Sequence, residues 1–207
     1  MQEQQIYKNG VIEMKTKDMV LSALFAAIIA ALGLLPPIPL PFSPVPITVQ
    51  TLGVMLAGSF LGKKLGGLSA LLVVIISSVG APILAGGRGG FSVLAGPTGG
   101  FLLSWPIAAF IIGYLTELFW KRLNVWKLFL INVLGGVLLI NIIGTPYMSF
   151  ITKMPLWSAA VANIAFVPGD VIKALVTAFI CMKVIKVSPI HEKKGPQQIR
   201  NNQSINL

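Results

Sequence analysis

Charge is scarce in this sequence. Of its 207 residues only 11% are Asp, Glu, Lys or Arg and 55% are apolar, whereas a soluble domain carries about 25% charge. With one cysteine, Cys181, no internal disulfide can form. The one histidine, His191, sits in a polar tail without partners at metal-ligand spacing. No Ser-His or Cys-His pair and no carboxylate dyad lies in the apolar segments, so little supports an enzyme. Gly58 to Gly62 before Lys63-Lys64 approaches a phosphate-binding loop, but the spacing is one residue short and no Ser or Thr follows, which removes an ATP site. Six acidic residues stand against sixteen Lys and Arg. These cations fall between apolar runs and not on one solvated surface, which argues against nucleic acid. What remains is an integral membrane protein.

Six apolar segments follow one another, at about 19–35, 48–62, 65–80, 101–119, 129–147 and 167–187, between polar tails at 1–17 and 188–207. The expected fold is all-α, one membrane domain of six transmembrane helices. The first segment has a basic start, as a signal peptide would, but it is long and ends in Leu35-Pro36-Pro37 with no small-residue cleavage pattern, so it reads as a retained span. Prolines 36, 37, 39, 41, 44 and 46 mark an extended loop outside the helices. The second segment would reach only about 20 to 24 Å, short for a bilayer, as expected of a helix beside a pocket. The fifth is expected to end at Pro146-Tyr147, an interfacial depth for tyrosine.

Between the third and fourth segments lies Ala81 to Gly100, APILAGGRGGFSVLAGPTGG. Seven of its twenty residues are glycine and its only charge is Arg88, which excludes a regular helix and predicts a loop.

Six spans put both termini on one side. If that side is the cytoplasm, thirteen Lys and Arg lie inside and only Arg88 and Lys153 outside, with Lys173 within the last span. That imbalance satisfies the positive-inside rule. The proline loop, the glycine loop and the Asp170 end of the last segment then share the outer side.

Ionisable residues inside a span suggest function by default. Asp170 and Lys173, three apart on one helical face, read either as an ion pair that seats the helix or as an acceptor and donor for a polar solute. Arg88 between Gly86-Gly87 and Gly89-Gly90 reads as an anion-approaching loop or as a solvated arginine on a turn. Gln50 and Thr51 are weaker candidates, since either could cap the second helix, as Thr48 does on its own. In the first span Ala23, Ala27 and Ala31 form a small-residue face, for internal packing or for a membrane partner.

In their order, PVPITVQT (Pro44 to Thr51), GAPILAGGRGGFSVLAGPTGGFLLSWPIAAFIIG (Gly80 to Gly113) and PGDVIKA (Pro168 to Ala174), with the alanine repeat of the first span, resemble the BioY family of biotin transporters over about residues 19 to 187. The resemblance implies the substrate-binding S component of an energy-coupling factor transporter in a bacterial plasma membrane. It implies six helices, both termini cytoplasmic, and an outward-facing pocket that binds biotin with high affinity. The implied partners are a transmembrane coupling subunit, docked on Ala23, Ala27 and Ala31, and two ATPase subunits. No cofactor is expected, biotin being the transported ligand. The expected binding set is Asp170, Lys173, Arg88, Gln50, Thr51, Gly87, Gly89, Phe91, Trp105, Asn141 and Tyr147. In one pose Asp170 and Lys173 take the ureido ring, and Arg88, Gln50 and backbone N–H groups take the carboxylate. Phe91, Trp105, Tyr147 or Ile142 would then line the thiophane and tail. The reverse pose, with the carboxylate on Lys173, stays open. The rival readings are another vitamin in the same architecture, a stand-alone facilitator, and a structural scaffold.

Overall fold

The structure is a computed structural model that describes residues 16–184. Expectations for His191, for Lys8, Lys15, Lys186, Lys193, Lys194 and Arg200, and for the end of the last span at Val187 lie outside the described residues.

Helix α1, Thr16–Leu32, stops just before Pro36-Pro37. The proline loop that follows is extended, as expected, but it is also paired. Strands β1, Ile38–Leu40, and β2, Ser43–Ile47, form an antiparallel hairpin with Ile38 opposite Ile47 and Leu40 opposite Ser43. Prolines 39, 44 and 46 supply no N–H to a ladder, which is why composition alone did not suggest a hairpin.

Helix α2, Gln50–Leu61, is about 18 Å long, shorter still than the 20 to 24 Å expected over 48–62. Its start corrects one expectation: Thr48 does not cap it. Val49 holds the cap position and makes no side-chain cap bond. Gly62, at φ 84°, turns the chain into α3, Lys63–Ser78. A side chain at Gly113 would overlap the Gly62 and Lys63 backbone, so glycine is required at this contact with α5. Glu117 completes the same corner by accepting from the Lys63 backbone N–H at 2.9 Å, with its other oxygen 3.4 Å from the Lys63 ammonium.

The glycine stretch is not the continuous loop expected: Phe91–Ala95, free of glycine and proline between Gly90 and Gly96, forms a short helix, α4. Helix α5, Gly99–Leu118, then passes through the middle of the bundle and packs on α2 and α3. A turn at Trp120–Arg122 leads to α6, Val125–Asn132, capped by Asn124, whose side chain accepts from the Lys127 N–H. A π-helical segment, Val133–Leu139, joins α6 to α7, Ile140–Thr152. Contrary to expectation, the helix does not end at Pro146-Tyr147; it runs through Pro146 to Thr152. The connector expected around Lys153 to Trp157 also contains a helix, α8, Leu156–Ile164, which bends by 51° into α9, Val167–Val184.

The core where α1, α2, α3 and α5 meet contains Ala26, Ile29, Val54, Ala57, Ala70, Ala108 and Ala109. Small residues allow such close helix approach without a water-driven hydrophobic term. Large apolar side chains face outward instead, among them Leu24, Ile75, Leu103, Phe110, Leu134 and Phe179. So much exposed apolar surface fits a lipid solvent. Among the described residues two helical rods are long and apolar enough to cross a bilayer, α5 and Val125–Thr152, and the bent α8–α9 pair makes a third if it is one span.

Candidate functional site

At the hairpin and glycine-loop end of the bundle a cavity lies between α2, α5, α7 and α9. A larger hollow between Phe42 and α8 is lined by Met154, Trp157, Ser158, Val161, Ala162, Ile164 and Ala165, with no charged group, whereas the smaller cavity is lined by Arg88, Asp170 and Lys173.

Lys173 and Asp170 sit on the first turns of α9 and reach back to the start of α2. The Lys173 ammonium donates to Asp170 Oδ1 at 2.7 Å, to the Thr48 carbonyl at 2.6 Å and to Thr51 Oγ1 at 3.0 Å. The Thr51 hydroxyl in turn donates to Asp170 Oδ1 at 3.3 Å. Both ionic side chains are close to nine-tenths buried, a placement that requires pairing and further hydrogen bonds. Thr48, just before the uncapped start of α2, presents its carbonyl to Lys173.

Gln50 lines the same cavity, with its amide engaged elsewhere. Its Nε2 donates to the Ile29 carbonyl at 3.2 Å and the Ile83 carbonyl at 3.1 Å, and its Oε1 accepts from the Ala85 N–H at 2.9 Å. Only 1% exposed, this side chain ties the end of α1 and the glycine loop to α2.

The glycine loop turns back on itself at Gly86 and Gly87, with φ of 77° and 69°, values that two successive L side chains would strain to adopt. Leu84 and Arg88 exchange backbone hydrogen bonds across the turn, at 3.0 and 3.2 Å. Arg88 is thereby placed on the cavity wall, where its Nε donates to the Ala85 carbonyl at 3.1 Å. Its terminal guanidinium nitrogens make no hydrogen bond or ion pair with the described residues.

Trp105 of α5, only 3% exposed, and Asn141 of α7 complete the polar lining. The rest is apolar: Val45, Leu84, Val93, Phe101, Ile140 and Phe166 among others.

Seven of the expected residues thus meet at one cavity: Asp170, Lys173, Arg88, Gln50, Thr51, Trp105 and Asn141. Gly87, Gly89, Phe91 and Tyr147 do not line it. Gly87 shapes the turn, and Gly89 packs against the Ala81 carbonyl too closely for a side chain. Phe91 and Ile142 point outward, and Tyr147 donates to the Leu94 carbonyl at 2.7 Å, fastening α4 to α7. Sequence reasoning missed Phe101, Phe166, Val93 and Thr98 as lining residues. Phe101 follows Gly99-Gly100 and Phe166 precedes Pro168-Gly169-Asp170, so proximity to a motif was the available signal. On α1, Ala23, Ala27 and Ala31 are exposed while Ala26 is buried.

Among the described residues there is no cluster of metal ligands. The cavity can hold a small molecule with an apolar body and a few polar groups, and offers it both carboxylate and guanidinium.

Comparison with known proteins fits this geometry. Residues 3–190 match the model of the BioY family. A biotin transporter BioY of Rhizobium etli is 44% identical over 182 residues, 86% of this chain and 97% of its own length. A probable biotin transporter BioY of Bacillus subtilis is 44% identical over 171 residues, 83% of this chain and 91% of its own. Among solved structures, the chain resembles the S-component for biotin from an ECF-type ABC transporter, at a TM-score of 0.80 and 35% identity, over 84% of this chain and 95% of that one.

Proposed function

This chain belongs to the BioY family, and from that premise we propose that it is the S component of an energy-coupling factor transporter and binds biotin in the α2–α5–α7–α9 cavity. It is a transporter component and not an enzyme, as the names of its relatives have it. The carrying observation is the convergence of Asp170, Lys173, Thr51 and Arg88 on one otherwise apolar cavity. Biotin has a ureido ring, a carboxylate and an apolar bicycle between them, and this wall has a counterpart for each.

In this reading six helices cross a bacterial plasma membrane with both termini cytoplasmic, and the cavity opens outward. The charge distribution supports that orientation, because Lys63, Lys64, Lys121, Arg122 and Lys127 lie at the end of the bundle away from the cavity. The coupling subunit docks on Ala23, Ala27 and Ala31, whose exposure leaves a flat strip for a second helix. Two ATPase subunits complete the transporter, supplying the nucleotide site this sequence lacks.

Equilibrium titration of the purified protein with biotin tests substrate and site together, with Asp170→Asn beside it. Tight binding that Asp170→Asn abolishes supports the reading. Failure of the unaltered protein to bind biotin would move the assignment to another vitamin in the same architecture.

A further inference from the structure

The corner where α5 passes into α6, Leu118 to Leu130, reads LFWKRLNVWKLFL, with three cations and no acidic residue. Glu117, just before it, is committed elsewhere: it accepts from the Lys63 N–H and lies 3.4 Å from the Lys63 ammonium, which also sits 5.4 Å from the centre of the Tyr114 ring. Lys121, Arg122 and Lys127 form no ion pair with any described residue. Lys121 and Arg122 are exposed, and Lys127 is half-buried. Local hydrogen bonds hold the three in a short space. The Arg122 N–H donates to the Phe119 carbonyl at 2.9 Å and the Leu123 N–H to the Trp120 carbonyl at 3.3 Å, which closes the turn, and the Asn124 side chain accepts from the Lys127 N–H at 2.8 Å. Leu123 packs inward against the cluster of Leu128, Ala178 and Cys181, so the turn is anchored to α9 while its charges stay outside.

Three unpaired cations call for an anion, and the surroundings say of which kind. Trp126 is 69% exposed, and exposed Leu130, Leu134 and Leu138 follow it at every fourth position along the rod Val125–Thr152. Phe129 meets the Trp126 ring edge-on, with 6.2 Å between centroids, and so fixes it at the surface. The cations therefore stand at the end of an apolar stripe, with a tryptophan at the junction. That order of groups matches an anionic lipid, whose phosphate lies at the bilayer surface and whose acyl chains run below it. Tryptophan favours that boundary, and basic residues beside a membrane span attract anionic headgroups. A water-soluble acidic protein would match the charges and leave the stripe without a counterpart.

We infer that Lys121, Arg122 and Lys127 form a headgroup site for an anionic glycerophospholipid, with its acyl chains along Trp126, Leu130 and Leu134. The site goes beyond the biotin reading and does not depend on it, since none of these residues lines the cavity. Only the assignment of the headgroup to the cytoplasmic leaflet rests on the orientation given above.

The test titrates the full chain, in a neutral detergent, with dioleoyl phosphatidylglycerol and with dioleoyl phosphatidylcholine, and counts bound lipid by native mass spectrometry. Two variants lose the same charge: Lys121→Gln/Arg122→Gln/Lys127→Gln at the site, and Lys64→Gln/Lys153→Gln/Lys183→Gln away from it. The unaltered protein is expected to bind phosphatidylglycerol more tightly than phosphatidylcholine. Each cation near an anionic headgroup contributes about fivefold in affinity, so the site variant should lose about a hundredfold for phosphatidylglycerol and nothing for phosphatidylcholine. The distant variant should stay within about threefold of the unaltered protein for both lipids. Equal binding of the two lipids by the unaltered protein would overturn the inference. Equal losses in the two variants would also overturn it, because overall charge would then be the cause. Unchanged phosphatidylglycerol binding in the site variant, with copurification of the coupling subunit lost, would give the corner to a protein partner instead. A protein that shows the lipid preference and its loss in the site variant, yet binds no biotin, would keep this site and overturn the biotin reading alone.

Discussion

Lys173 holds Asp170 at 2.7 Å, and both reach across to the start of α2, where Thr48 and Thr51 complete the ammonium's hydrogen bonds. The pair therefore joins α9 to α2 and simultaneously forms one wall of the cavity. The two readings left open in the sequence, helix seating and solute binding, are compatible in one geometry. They are also separable by experiment.

Removing one partner of a buried ion pair leaves the other uncompensated, a loss of about 3 kcal/mol. Lys173→Met is expected to lower the unfolding temperature in detergent, and Asp170→Asn added to it to recover most of that loss. Biotin binding stays lost in the double variant. Recovery of binding together with stability would assign the pair to seating alone.

Gln50→Leu keeps the side-chain volume and removes three hydrogen bonds between α2, the end of α1 and the glycine loop. The buried carbonyls and N–H left behind each cost about 1 to 3 kcal/mol. Hydrogen exchange at residues 83–88 should accelerate while exchange in α5 stays slow, and biotin affinity should fall at least tenfold as Arg88 loses its fixed position. Unchanged exchange at 83–88 would mean that the loop holds its shape without Gln50.

How much of this was legible in the sequence follows from the range of the signals. Apolar runs and their flanking cations located the long helices, since lipid exposure imposes that pattern residue by residue. Pro146 misled, because a helix stop was read from a local rule while packing carries the helix on to Thr152. The hairpin at Ile38–Ile47 was hidden by its own prolines. At the site, Asp170, Lys173 and Arg88 were conspicuous as charges among apolar residues. The engagement of Gln50 by Ile29, Ile83 and Ala85 depends on residues up to 35 positions away, which no local pattern records. Phe91 and Tyr147 were chosen for chemistry, and their outward or helix-fastening placement depends on the path of α4.

The exposed strip on α1 gives a prediction that separates binding from coupling. Ala27→Trp places a bulky ring where the surface is flat and should leave biotin binding within about twofold of the unaltered protein. Copurification with the coupling subunit and ATP-dependent uptake should both fall sharply. Retained uptake would remove this face from the docking surface.

Gly113 tests the packing of the inner corner. Gly113→Leu forces a side chain into the Gly62–Lys63 backbone, and overpacking of this kind costs about 1 to 3 kcal/mol or more. The expected result is a large loss of folded protein after detergent extraction. A variant extracted in normal yield and unfolding at the normal temperature would contradict the close approach of α5 to the α2–α3 elbow.

The most direct measurement is a calorimetric titration of the detergent-purified protein with biotin, run beside an Asp170→Asn variant checked to be folded at the titration temperature. The account predicts one site of nanomolar affinity, lost by orders of magnitude in the variant. Equally tight binding by Asp170→Asn would contradict it, leaving biotin as the ligand and moving its site away from the α9 carboxylate.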